Sequence, residues 1–190
     1  MTHDHAEPLG GTGQQAEGTQ AGATGGGQRR RESASPVCYA DQADPAYMGY
    51  ASDDELAAAL GELLEAERAG ARVADESCKQ ADQATDQALL AQVRHDEIRW
   101  CGMLIAAIKT LGAQPSSQVG AFYEKAMAID DLPQRMAFLN RGQGWVVKRL
   151  QALVPRVRDA GLQDQLLAML TAHRENIEQV NVRLEGLGKR

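Results

Sequence analysis

The stretch Val93-Arg94-His95-Asp96-Glu97-Ile98-Arg99-Trp100-Cys101-Gly102-Met103-Leu104 decides how this chain is read. At about 3.6 residues per turn, Leu90, Val93, Glu97, Trp100, Leu104 and Ile108 fall on one face of a helix, and His95 points the other way. Glu97 therefore interrupts an apolar stripe at its middle. Burying a carboxylate there is costly unless it is paired, protonated or bound to a metal. The rest of the chain tests this reading, because a site inside a helical bundle needs polar residues at the same height on the neighbouring helices.

That helix is expected to begin near Thr85 or Asp86 and to end at Gly112, a residue suited to a left-handed cap. Upstream, Ser52-Asp53-Asp54-Glu55 has the form of a capping box and opens another helix. Its stripe is Leu56, Leu60, Leu63, Leu64, Glu67, Ala71, Ala74 and Cys78. Glu67 lies on it, whereas Glu62 and Glu65 project away. Downstream, Pro115-Ser116-Ser117 forms a loop, and residues 119–129 form a short helix packed across the bundle through Phe122, Met127 and Ile129.

Asp131-Leu132-Pro133 opens a third long helix, since proline suits a first turn. Its stripe is Leu132, Met136, Leu139, Gln143, Val146, Val147, Leu150 and Val154, and Pro155 ends or kinks it. Gln143 is flanked by Gly142 and Gly144, each costing about 1 kcal/mol of helix propensity. They suggest close approach by another backbone, or room left beside a buried site. The fourth long helix, over residues 162–187, turns Leu166, Leu170, His173, Ile177 and Leu184 inward, with Met169 and Val180 nearby and Glu175 and Glu178 off the stripe. The expected fold is all-α: an up-down four-helix bundle with a short extra helix between helices 2 and 3. Each long helix carries one polar residue at mid-height: Glu67, Glu97, Gln143 and His173.

The 190 residues carry a net charge of −6 and few aromatics, with no clustered Lys/Arg face, which speaks against nucleic-acid binding. No stretch is long and apolar enough to span a membrane. The basic run Arg29-Arg30-Arg31 lacks the apolar segment of an export signal, so a cytoplasmic location is expected. Cys38, Cys78 and Cys101 have no CxxC spacing and read as reduced thiols. Residues 1–47 form a Gly/Gln-rich tail too poor in large apolar residues to offset chain entropy, and are expected to be disordered. His3 and His5 there are read as incidental. Within residues 35–50, Tyr39, Tyr47 and Tyr50 suggest an arm laid on the bundle or on a partner. The folded domain is residues 48–190.

The residues also carry a family resemblance. Leu60-Gly61-Glu62-Leu63-Leu64-Glu65-Ala66-Glu67 resembles the first helix of bacterioferritin and rubrerythrin-type proteins, and Asp96 to Leu104 is similar to their second-helix segment. The match runs from Ser52 to the C-terminus and is most similar to a bacterial branch of the ferritin-like group. Such bundles hold two irons with a Glu from each of two helices and Glu-x-x-His from each of the other two. By the resemblance, Glu67, Glu97 and His173 occupy ligand positions. Trp100 stands where the second helix has histidine, Gln143 where the third has glutamate, and Leu170 where the fourth has the glutamate partner of its histidine.

Two functional expectations follow. In one, the chain is a ferritin-like bundle with a degenerate metal site and a non-catalytic structural, interaction or stress-related role. Glu67 and Glu97 would then share a proton or be neutralised by Arg135 or Arg174 reaching inward. In the other, Glu67, Glu97 and His173 bind a single iron or manganese ion in an oxidoreductase or metal-storage protein, with Gln143 bonding a water on that ion. A third reading makes Cys78 and Cys101 a thiol site for copper or redox sensing. Whether the chain is an enzyme stays open. A homo-oligomer, a dimer through one helical face, is expected.

Overall fold

The computed structural model describes residues 48–188. The expected tail, its two histidines, Cys38 and most of the expected arm lie outside these residues. Of the arm, Met48 is exposed and Tyr50 half-buried.

The described residues form five α-helices and no strand: α1 Asp53–Gln80, α2 Ala84–Thr110, α3 Phe122–Met127, α4 Leu132–Leu153 and α5 Ala160–Gly188. A 3-10 turn, Val154–Arg156, follows α4 at Pro155. The four long helices pack as an all-α bundle, with α1 against α2, α4 against α5, α1 against α4 and α2 against α5. The short α3 lies on α1 and α4. Among the described residues no helix is long and apolar enough to cross a membrane.

Local chemistry accounts for where the helices start and stop. The Ser52 side chain accepts from the Glu55 amide at 3.3 Å, and the Ser52 amide donates to Glu55 Oε2 at 3.1 Å, completing the capping box. Arg156 reaches the same carboxylate at 3.0 Å and ties the end of α4 to the start of α1. At the end of α2, Gly112 takes φ +75°, the left-handed conformation that glycine adopts without strain. There the Gly112 amide donates to the Lys109 carbonyl and the Ala113 amide to the Ile108 carbonyl, closing the helix in a Schellman cap. Asp131 caps α4 by accepting from the Gln134 amide at 2.9 Å.

Several details differ from the expected phases. Beyond Glu67, the buried positions of α1 are Ala69, Gly70, Val73, Ala74 and Ser77, while Ala71 and Cys78 are only half-buried. A helix of about 3.6 residues per turn drifts off any strict three-four pattern over seven turns, which moves the face by one residue. On α5 the same drift buries Asn176 and Val180 and leaves Ile177 and Leu184 half-buried. The short helix is six residues long, and its fully buried residue is Ala126.

The interior is two apolar clusters. One holds Leu60, Leu63, Leu64, Trp100, Leu104, Val146, Leu150, Leu166 and Leu170 among others. The other holds Val73, Ala74, Leu90, Val93, Met136, Leu139 and Val180. Along each long helix one polar residue separates the two clusters: Glu67 on α1, Glu97 on α2, Gln143 on α4 and His173 on α5. All four are buried. The bundle has two apolar ends and a polar waist.

Candidate metal centre

At the waist, each side chain is delivered by the middle of a long helix, where the backbone is held by packing on both sides. Glu67 is fully buried, and Glu97 and His173 expose 3% and 1%. The structure brings these three together: one ligand atom from each lies within 4.8 Å of the others. His173 Nε2 is 3.2 Å from Glu67 Oε1. That is hydrogen-bonding distance, yet the direction is wrong for a bond, and both Glu67 oxygens and His173 Nε2 have no hydrogen-bond partner in the protein. The atoms converge without satisfying one another.

The imidazole is pre-oriented. His173 Nδ1 lies 3.0 Å from the Met169 carbonyl, which only accepts, so Nδ1 carries a proton and Nε2 is the ring nitrogen turned to the cluster; in the neutral ring it would offer a lone pair there. Metal-ligating histidines are commonly fixed through the other ring nitrogen in this manner. A bare Nε2 facing a carboxylate oxygen is repulsive unless a proton or a cation sits between them.

Burial pushes the Glu67 carboxyl up to about 8, with the contact to Glu97 acting weakly the other way. Glu97 is held well above the usual carboxylate range, first by burial and then by the negative charge of Glu67, with His173 opposing. A carboxyl oxygen of each glutamate lies within 4.8 Å of the other's, and since both groups are acceptors when ionised, a bond between them needs a proton on one. Free of metal, the centre therefore stores protons. A divalent cation would displace them.

Two arginines were expected as neutralising partners, and neither serves. Arg135 is buried, but it is committed at the start of α4, donating to Gln80 Oε1 at 2.5 Å and to the carbonyl of Ile129 at 2.8 Å. Arg174 is exposed on α5. Among the described residues no lysine or arginine forms an ion pair with Glu67 or Glu97. The arginines failed because Arg135 starts two turns from mid-height and because Arg174, next to His173, is turned about 100° away from it.

The donor set suits one divalent cation. Two carboxylates and an imidazole are ligands for iron(II), manganese(II) or zinc, and three protein ligands leave positions open. It does not suit two metals. Trp100 is packed in the first apolar cluster with Arg99 over its ring at 4.4 Å, and Leu170 sits in that same cluster. Gln143 is buried with both ends of its amide unpartnered.

The thiol reading finds no support. Cys78 and Cys101 pack against different clusters, and the Cys78 thiol donates to the Gln87 carbonyl. Burial, aided by the charges of Glu67 and Glu97, pushes the Cys101 thiol up to about 12, so it stays protonated and is a poor ligand.

Sequence reasoning missed two supports of the centre. Gly70, one turn after Glu67, has no room for a side chain: an added Cβ would lie 2.7 Å from the carboxyl atoms of Glu97. The signal was there, a glycine inside a long helix three residues beyond the buried glutamate. Asn176, one turn after His173, is buried and donates to Asp96 Oδ2 at 3.1 Å, joining α5 to α2 beside both ligands. Of the flanking glycines on α4, Gly142 does accommodate a close approach, by the Phe122 ring of α3 and not by a backbone. Gly144 faces open space.

Fold and site together define an all-helical bundle with a buried carboxylate–imidazole cluster at its waist. The chain belongs to the DUF6306 family, a domain of unknown function, whose model matches residues 54–182. That span includes Glu67, Gly70, Glu97, Gln143 and His173. No curated protein and no protein of solved structure matches the chain.

Proposed function

We propose that this protein is a ferritin-like, up-down bundle that binds one divalent cation, iron(II) or manganese(II), through Glu67, Glu97 and His173. The observation that carries the proposal is the convergence of three buried ligand atoms, those of Glu67 and His173 without a hydrogen-bond partner, with no arginine or lysine paired to them among the described residues. The Nδ1 bond of His173 and the space left by Gly70 support it. When bound, the cation supplies a Lewis-acid or one-electron redox centre. The chain's own residues hold it, exclude bulk water through the two apolar clusters, and release carboxyl protons as it enters. Metal storage or metal-dependent oxidation are the roles open to such a site.

The test is metal analysis of protein purified from cells supplied with iron and manganese. About one cation per chain is expected, and His173→Ala and Glu97→Gln should lose it. Adding the cation at a hundred times its dissociation constant should raise the melting temperature by roughly 10 °C. Protein without stoichiometric metal, whose melting does not respond to either ion, would sink the proposal. The contact between Glu67 and Glu97 then favours the other reading, a metal-free structural bundle whose carboxyls share a proton.

A further inference from the structure

A second feature lies beside the centre. Between α1, α3 and α4 the bundle opens into a cavity of about 500 Å3, within the size range of small-molecule sites. Glu97 and Gln143 both line it, and the amide of Gln143 is buried and unpartnered at both ends. The walls are apolar, dominated by Phe122 and Phe138, whose rings stack at 4.8 Å. Trp145, 43% exposed, also lines it, at the solvent side. The walls are built around glycine: at Gly142 a Cβ would strike the Phe122 ring at 2.6 Å.

Leaving an amide buried without partners costs folding free energy that leucine at position 143 would not. A polar group kept at such a disadvantage at the edge of an apolar cavity matches a ligand that bonds to it. The geometry points to this cavity as a binding site for a neutral aromatic molecule bearing one hydroxyl or amide group. The rings of Phe122, Phe138 and Trp145 take its aromatic body, and Gln143, both donor and acceptor, takes its polar group. An anion is disfavoured because the carboxylates of Glu62 and Glu65 line the cavity against the single guanidinium of Arg141, which lies over the Phe138 ring at 5.1 Å. A bound molecule would rest beside the carboxylate–imidazole cluster. The inference uses only the cavity and Gln143, and stands whether or not the cluster holds a cation.

The experiment is a titration of the full chain, stripped with EDTA, with 1-naphthol, naphthalene and 1-naphthoate. Saturable binding of about one 1-naphthol per chain is expected, with 1-naphthoate at least about ten-fold weaker. Gln143→Leu should weaken 1-naphthol by about five- to ten-fold, leave naphthalene within about two-fold, and raise the melting temperature. Ala66→Phe, which places a ring into the cavity from α1, should abolish binding of both. The inference is overturned if folded wild-type protein shows no saturable binding, or if 1-naphthoate binds as well as 1-naphthol. It is equally overturned if Gln143→Leu leaves the preference for naphthol over naphthalene unchanged, or if Ala66→Phe binds as the wild type does. Because EDTA removes any cation, failure here is separate from failure of the metal analysis.

Discussion

Two places in this bundle bury a carboxylate between α2 and α5, and they are built in opposite ways. Near the start of α2, Asp86 is 5% exposed and receives the Arg183 guanidinium on both oxygens, with Gln83 taking another of its N–H groups. About three turns along the same two helices, Glu97 meets His173 instead, with Glu67 added and no arginine or lysine. This fold can bring a cation to a buried acid when the acid is structural. At the waist it brings a second acid and an imidazole. The difference separates a finished ion pair from acids that have no arginine or lysine paired to them among the described residues.

The largest test of that contrast is pH. In EDTA-treated protein the folded Glu67 binds its proton up to about pH 8, whereas the unfolded chain releases it near the ordinary 4.5. The folded state then holds more protons than the unfolded state across that window, so stability falls as pH rises from 4.5 to 8, with Glu67 alone contributing about 5 kcal/mol at most and Glu97, also held above its ordinary range, acting in the same direction. Urea unfolding at pH 5 and pH 8 should show this loss, Glu67→Gln should lessen it, and the bound cation should reverse it. If wild type and Glu67→Gln have the same pH profile, the waist carries no strained acid.

The next test sets the two places against each other by mutation. Arg183→Ala strands the buried Asp86 without its cation and should lower stability. Cation content should not change. Glu97→Leu should do the reverse, stabilising metal-free protein by about 1–3 kcal/mol through removal of an uncompensated buried acid, and abolishing cation binding. Equal losses of stability in both variants would make the waist another structural pair.

How much of this was readable beforehand depends on what kind of information each feature carries. The helices and their polar mid-points were legible, because Glu67, Glu97, Gln143 and His173 obey a period that is purely local. The convergence of three of them followed from equal heights. The compensation was not legible. Whether Arg135 or Arg174 faces Glu67 depends on helix rotation and on competing acceptors such as Gln80 and the Ile129 carbonyl, which only the packed structure supplies. The Asp86–Arg183 pair joins residues 97 apart in the chain and leaves no short-range trace. The cavity escaped for a related reason: the Phe122 ring, not a backbone, fills the gap at Gly142.

The smallest effect is the most specific. Gly70→Ala adds one methyl group to α1. In a helix interior that change ordinarily stabilises by about 1 kcal/mol. Gly61 offers the control, because it lies on the same helix with nothing within 4 Å of a new Cβ, and Gly61→Ala should show the full gain with cation binding unchanged. At Gly70 the new Cβ would lie 2.7 Å from the Glu97 carboxyl atoms, closer than side chains approach, so the carboxylate must turn away. The helix gain should then be cancelled, leaving net stability within about 1 kcal/mol of wild type, while cation affinity falls by about ten-fold. Urea unfolding and a metal titration on both variants read the two quantities separately. A Gly70→Ala protein that gains as much stability as Gly61→Ala and keeps its affinity would mean that Glu97 has room to spare and that its position owes nothing to this glycine.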